Sequence, residues 1–161
     1  MKKYLIILSL FLSVSCSTGY KVTNNDIQKF ESKVEKLIEI NPLEKIIQKL
    51  IIIETNGQNL VGDSGRAFGI LQIHKIAVRE YNQTYGTKYK HEDMFDENIS
   101  KKVCIGLLEK GVDIYKSKYK TEPSEQDIVR MWNGGNYKGY KKSSTIKYWN
   151  KYKNLDDESI S

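Results

Sequence analysis

The sequence predicts an α+β chain that is mainly helical, with one small β-hairpin or loop element. Three observations carry this. Apolar residues recur at helical spacing in several separate segments. One stretch, 58–68, is instead broken by Gly62, Gly65 and turn-forming residues, with short apolar runs between them. The chain has 161 residues, 29% charged and 39% hydrophobic, which suits one folded domain and excludes a wholly disordered chain.

The elements follow in order. Lys2 and Lys3 precede an apolar run, Leu5 to Leu12, and then the small residues Ser13, Val14 and Ser15 before Cys16. A positive start, a core too short for a typical membrane span and a small-residue end read as an export signal over 1–15. The stretch resembles a bacterial lipoprotein signal with Cys16 as the first mature residue, although Ser13 stands where such signals usually carry Leu. An ordinary secretory signal or an uncleaved anchor remain alternatives. The resemblance implies an exported protein held to a membrane by a lipid at Cys16 and facing the cell wall or periplasm. Residues 16–24 are polar and read as a tether.

The folded domain is expected over 25–153. Ile27, Phe30, Val34, Leu37 and Ile38 predict an amphipathic helix over 25–40. Asn41-Pro42 ends it and opens another, with Asn41 as N-cap and Pro42 at the first helical position. That second helix carries Leu43, Ile46, Ile47, Leu50, Ile51, Ile52 and Ile53, so its far end is expected to be buried. Glu54 follows directly, and Asn56-Gly57 is a stop. Gly69 to Asn82 reads as helix through Ile70, Ile73, Ile76, Ala77 and Tyr81, and 83–97 as loop. A long helix is expected at 98–118, with Ile99, Val103, Leu107, Leu108, Ile114 and Tyr115 as candidate core. Ser124 and Asp127 form a capping-box pair ahead of Ile128, Val129, Met131 and Trp132. Asn133-Gly134-Gly135-Asn136 breaks that helix, and a short aromatic-rich helix follows at 144–153. The tail, 154–161, is acidic and expected to be disordered. A lipid on Cys16 would leave Cys104 as the only free thiol of the mature chain, so no internal disulfide could form. Val103 and Ile105 flank it, which reads as a buried, inert thiol rather than a nucleophile.

Glu54 is the first candidate for chemistry. A carboxyl at the buried end of an apolar helix has its charged form disfavoured, so its pKa rises. A glycosidase acid needs that property, because it must hold a proton near neutral pH and release it to a leaving oxygen. A solvated carboxylate at a frayed helix end is the competing reading.

The surroundings decide between them. Glu54-Thr55-Asn56-Gly57, Gly69-Ile70-Leu71-Gln72-Ile73, Trp132-Asn133-Gly134-Gly135 and Thr145-Ile146-Lys147-Tyr148 occur in this order. Together they resemble the motif series of soluble-lytic-transglycosylase and goose-type lysozyme domains, over about residues 43–153. Gly62 to Gly69 also looks like the loop before the Gly-x-x-Gln motif in relatives of that superfamily. The resemblance implies a lysozyme-like fold. It implies Glu54 as catalytic glutamate, Gln72 as a residue lining the glycan cleft and Gly69 as a glycine passing close to the site. It further implies that Asn133 supports the cleft by hydrogen bonding and that the Tyr148 hydroxyl approaches the glutamate. Thr55 replaces the usual Ser, Ile70-Leu71 the common Leu-Met, and Trp132 the usual Tyr.

The expected activity is cleavage of peptidoglycan between N-acetylmuramic acid and N-acetylglucosamine. One glutamate suffices for a lytic transglycosylase, which needs no cofactor and no metal. A hydrolase generally wants a second carboxylate. Asp63 lies nine residues after Glu54, a separation that resembles that in phage-type lysozymes, but a turn-former in Gly62-Asp63-Ser64-Gly65 is the favoured reading, which puts the transglycosylase ahead of the hydrolase. A non-catalytic wall-binding lipoprotein is the rival from another class, and a basic membrane-surface protein using the Lys/Tyr region is a third.

Other features carry less. The net charge of +6 favours an anionic partner without choosing one. His91-Glu92-Asp93 with Asp96-Glu97 reads as an acidic loop capping the next helix, not a metal site. His74 could line the cleft or flank it. Six lysines from Lys138 to Lys153, interleaved with Tyr137, Tyr140, Tyr148, Trp149 and Tyr152, have the composition of a nucleic-acid patch. In an exported chain they are better read as core and sugar-stacking aromatics among solvated lysines. No nucleic-acid partner is expected, and the chain is expected to act as a monomer.

Overall fold

The computed structural model describes residues 23–29, 42–135 and 137–155. The signal at 1–15, Cys16, the tether up to residue 22, positions 30–40 of the first expected helix, the Asn41 cap, Asn136 and 156–161 of the tail lie outside the described residues. Two compact units divide the chain, Met1–Ile40 and Asn41–Ser161. In the first, residues 24–29 are helical. Thr23 opens them: its N–H and hydroxyl donate to Asp26 Oδ2 at 3.1 and 2.7 Å. Asn24, the last residue of the expected tether, is therefore already helical.

The second unit is mainly helical with a small three-stranded antiparallel sheet, an α+β arrangement. Helix α1, Pro42–Thr55, buries Leu43, Ile46, Ile47, Leu50 and Ile51 along one face. Pro42 opens it as expected, since its missing N–H is one the first turn leaves unpaired anyway. It ends where Asn56-Gly57 predicts: Asn56 adopts φ 52° and Gly57 φ 78°. The Asn56 N–H then reaches Ile52 O at 3.0 Å and the Gly57 N–H reaches Ile51 O at 3.5 Å, which satisfies carbonyls the helix end leaves open. Ile52 and Ile53 are only partly buried, because the last turn of α1 looks partly into a cleft.

Strands β1 (Val61–Gly62), β2 (Ala67–Phe68) and β3 (Ile73–His74) pair in the order β1-β2-β3. Val61 faces Phe68, and Phe68 faces Ile73. The third strand corrects the sequence expectation of a helix starting at Gly69. Gly69 has φ 80° and Gln72 φ 49°. Both are left-handed conformations that a right-handed helix cannot contain, so 69–72 forms a turn. Helix α2 begins only at Lys75 and runs to Tyr85, with Gly86 as its left-handed cap. Ile76, expected in the core, is 59% exposed.

The expected 83–97 loop holds the end of α2 and a 3-10 turn, Glu92–Phe95. Asp96 then caps helix α3, Glu97–Tyr119, accepting from the Asn98 and Ile99 N–H groups at 2.8 and 3.0 Å. Val103, Cys104 and Leu108 of α3 are buried, whereas Ile114 is 41% exposed near its far end. Helix α4, Glu125–Gly134, opens with the Ser124–Asp127 capping box and buries Val129 and Met131. Two 3-10 turns, Gly139–Lys141 and Ser143–Thr145, lead into helix α5, Ile146–Lys153. Tail residue Leu155 is not detached: its carbonyl accepts from Lys49 Nζ at 3.3 Å.

Glycines and one threonine set how α4 and α5 meet. A Cβ on Gly139 would lie 2.1 Å from Arg130 O and 2.9 Å from Gly134 Cα. Arg130 in turn donates to Thr145 Oγ1 at 2.9 Å and to Lys142 O at 3.0 Å. The turn before α5 is thus clamped to α4 at backbone distance. Gly139→Ala is therefore expected to destabilise the fold by about 1–3 kcal/mol, the usual range for overpacking a close contact. A urea melt reads this as a lower midpoint, and an unchanged midpoint would show that the clamp is soft.

Candidate active site

Three helices bring three side chains together. Glu54 comes from the last turn of α1, Trp132 from α4 and Tyr148 from α5. The Tyr148 hydroxyl donates to Glu54 Oε1 at 2.7 Å, and the Trp132 indole N–H donates to the same oxygen at 3.2 Å. Among the described residues no hydrogen bond reaches Oε2. A carboxyl whose one oxygen accepts two bonds carries its proton on the other. Oε2 is therefore the oxygen that can give a proton away.

The electrostatics favour that protonated form. Burial is the largest influence on Glu54 and raises its pKa; the bonds from Tyr148 and Trp132, and the Lys151 charge, pull partly back. Its place at the C-terminal end of α1, where the helix dipole is negative, works in the same direction as burial. Tyr148 is itself pushed well up, first by burial and then by the Glu54 charge, so it stays a neutral donor. Cys104, fully buried behind this group, has a thiol held far above its ordinary value by burial and by Glu54, and is inert.

Glu54 opens onto a cleft of about 460 Å³ that Asp63, Gln72, His74, Ile76, Trp132 and Asn133 also line. This accounts for exposed Ile76: its side chain faces the cleft rather than the core. Asp63 sits across two consecutive left-handed residues, itself at φ 46° and Ser64 at φ 54°. Non-glycine residues adopt this conformation at a cost of about 1–3 kcal/mol and tend to do so at functional sites. The Asp63 side chain pairs with a side chain of its own turn and with one beyond it. Oδ1 accepts from the Arg66 guanidinium at 2.7 Å, and Oδ2 lies 3.4 Å from His74 Nε2. His74 is thereby part of the cleft wall.

The remaining expected site residues divide. Gln72 lines the cleft, but its Nε2 donates to Leu60 O at 3.1 Å and Gly69 O at 2.9 Å, so it also holds the turn. Gly62 is the space it occupies: a Cβ there would lie 1.8 Å from Gln72 Oε1. Gly69 does pass close to backbone, but that backbone is Met94 rather than the cleft; a Cβ would lie 1.9 Å from Met94 O. Asn133 is exposed on the cleft wall and makes no hydrogen bond among the described residues, so it does not brace the cleft. Its side chain is pushed outward because its neighbour Trp132 takes the inward position of that helical turn.

The weaker features find structural roles. His91 stacks on Phe68 with ring centroids 3.9 Å apart and bonds Ile73 O at 2.7 Å, bracing the sheet. Asp93 accepts from the Lys90 N–H, and Asp96 caps α3. In the Lys/Tyr region Tyr148 and Tyr152 are buried, Tyr137 bonds Glu80, and Tyr140 bonds Tyr119. Trp132 is the partner the sequence reading missed. It lies 78 positions from Glu54, and its ring reads simply as core in the helical pattern. The signal available was the type of residue: an indole N–H is a hydrogen-bond donor that seeks a partner when it is partly buried.

No family model matches the chain, and no curated protein and no solved structure matches it either.

Two predictions follow from the carboxyl's surroundings. Tyr148→Phe and Trp132→Phe each remove a bond that holds the Glu54 pKa down, so each is expected to raise it further. NMR titration of the Glu54 carboxyl carbon checks this, and a fall in either variant would contradict the assigned balance. The second concerns stability. Because the folded pKa lies above the ordinary 4.5, the stability Glu54 contributes is fully present below 4.5 and is lost as pH rises through the raised value. Glu54→Gln keeps an oxygen for both donors and has no charge to bury. It is expected to melt above the parent at neutral pH, with the gap closing below pH 4.5. A gap that does not change with pH would mean Glu54 ionises without penalty.

Proposed function

We propose that this chain is a lysozyme-like domain that cleaves peptidoglycan glycan strands between N-acetylmuramic acid and N-acetylglucosamine, with Glu54 as acid and then base. The observation that carries the reading is the carboxyl itself. It is partly desolvated, steadied on Oε1 by Tyr148 and Trp132, has Oε2 without a hydrogen bond among the described residues, and borders a cleft of about 460 Å³. A carboxyl with a raised pKa on the wall of an open cleft is what glycosidic cleavage requires. The ordered motifs around Glu54, Gln72, Asn133 and Tyr148 support the same reading.

In the first step Glu54 Oε2–H gives its proton to the glycosidic oxygen as the bond to the muramic C1 breaks, and the leaving sugar departs with a neutral hydroxyl. The new carboxylate is held by the two donors on Oε1. In the second step it takes the proton of the muramic 6-hydroxyl as that oxygen closes on C1, giving a 1,6-anhydro end and restoring the acid. No metal or cofactor enters this route. A lipid at Cys16 would tether the activity to a membrane beside its substrate.

A second reading, hydrolysis, is favoured by one observation. Asp63 lines the same cleft as Glu54, although its Oδ1 also accepts from Arg66 within its own loop. A carboxylate there could activate water or shield the developing positive charge. A binding lipoprotein without turnover is less suited, since binding alone gives no reason to desolvate an acid.

The test is digestion of purified peptidoglycan by the full chain beside Glu54→Gln, with products read by mass spectrometry. The variant is expected to lose roughly 10²–10⁴-fold in rate. Anhydro-ended products identify the transglycosylase, and reducing ends identify the hydrolase and give Asp63 a role. Wall that is bound by both chains and cut by neither would sink the enzymatic reading. Activity is expected to fall as pH rises through the raised Glu54 pKa, and to extend to higher pH in Trp132→Phe.

A further inference from the structure

Trp132 serves two cavities. Its indole N–H donates to Glu54 in the cleft, while its ring also lines a second cavity of about 90 Å³. Ala77 and Gly135 border both, so the second opens beside the first. Leu107, Leu108 and Met131 make its other walls apolar, and Glu80 with Tyr137 closes one side. A side chain on Gly111 would narrow it, since a Cβ there would come within 3.2 Å of Tyr137 Cδ1 and 3.3 Å of Met131 Sδ.

Charge restricts what can enter. Glu80 Oε1 accepts from Lys110 Nζ at 3.0 Å and from the Tyr137 hydroxyl. Burial alone would raise the Glu80 pKa, but those two partners outweigh it and hold the carboxyl below its ordinary value. The group is therefore an ionised acceptor. An anionic guest is repelled by it, and a cationic guest meets Lys110, already in place. Among the described residues no hydrogen bond reaches Glu80 Oε2. A neutral guest with a small apolar end and an N–H donor matches both the apolar walls and the Glu80 carboxylate among them.

We propose that this side cavity is a recognition subsite for a methyl-bearing secondary amide carried on the strand whose linkage lies at Glu54. The proposal rests on the glycan-cleavage reading and extends it to specificity. Two parts of peptidoglycan have this chemistry: the acetamido group of its sugars and an alanyl residue of its stem peptides. A guest packed on the Trp132 ring also seats the indole whose N–H steadies Glu54, so occupancy and the catalytic carboxyl are joined through one side chain.

The test uses the full chain and Leu107→Phe, which fills the cavity from a wall that does not touch Glu54. Gly111→Ala, narrowing it from another position, is the second variant should the first not fold. Rates are measured on peptide-bearing glycan strands and on the same strands stripped by an amidase. The filled variant is expected to lose about tenfold in kcat/KM, mainly through KM. Loss on peptide-bearing strands alone assigns the alanyl group, and equal loss on both assigns the acetamido group. Unchanged kinetics on both overturns the subsite. If the parent cuts no strand, the cleavage reading falls and direct binding decides. The Trp132 indole NMR signal is then followed during titration with N-acetylglucosamine or N-acetyl-alanine methylamide. A shift that disappears in the filled variant keeps the subsite, and a signal that neither probe moves overturns it.

Discussion

The bond from Tyr148 to Glu54 is the point on which the site depends, because its two ends come from opposite ends of the folded unit's sequence. Glu54 stands in the last turn of α1, and Tyr148 is in α5, 94 positions later. A carboxyl taken out of water needs hydrogen-bond partners or it distorts its surroundings. Tyr148 and Trp132 supply them, and in doing so place α4 and α5 against the end of α1. The same contact that makes Glu54 tolerable to the fold occupies Oε1 and leaves Oε2 without a hydrogen bond among the described residues. Stability and chemistry here draw on one geometry, and the raised pKa marks where they pull in opposite directions.

That geometry is held by close backbone packing more than by bulk. Gly139 lies against the Arg130 carbonyl, and Arg130 reaches across to Thr145 and Lys142, so the turn entering α5 has little freedom. On the opposite side of the site, Thr55 donates to Ile70 O at 2.9 Å and ties the end of α1 to the turn between β2 and β3. Gln72 then locks that turn by two carbonyl bonds across Gly62. The cleft is thus framed by rigid contacts on both sides. Its wall residues, Asp63, His74 and Asn133, are left exposed to meet a ligand.

Trp132 has the widest reach of any single residue here. Its N–H contributes to the Glu54 balance, its ring lines two cavities, and Gly135, at φ 62°, ends the helix just beyond it. A tyrosine at this position could keep a donor, but its ring would present a narrower face to the side cavity. The indole at this position therefore bears on the shape of the side cavity as well as on the Glu54 carboxyl.

Much of the architecture could be read from residue order alone. Helical periodicity, Pro42, the Asn56-Gly57 stop, the Ser124–Asp127 box and the glycine-broken stretch before Gly69 are local signals, and local backbone preferences act within a few residues. They placed α1, α3 and α4 within a residue or two, and the buried Cys104 with them. The strand at Ile73–His74 escaped, because apolar spacing cannot register the left-handed φ of Gly69 and Gln72 that delays α2 to Lys75. Glu54 stood out because an apolar helix leads into it, and Tyr148 because of motif order. That Trp132 shares its oxygen, that Asp63 meets His74, and that Asp63 and Asn133 border one cleft are outcomes of packing between distant segments. Such contacts depend on where helices come to rest against each other, a long-range balance of burial and close approach that no short window of sequence contains.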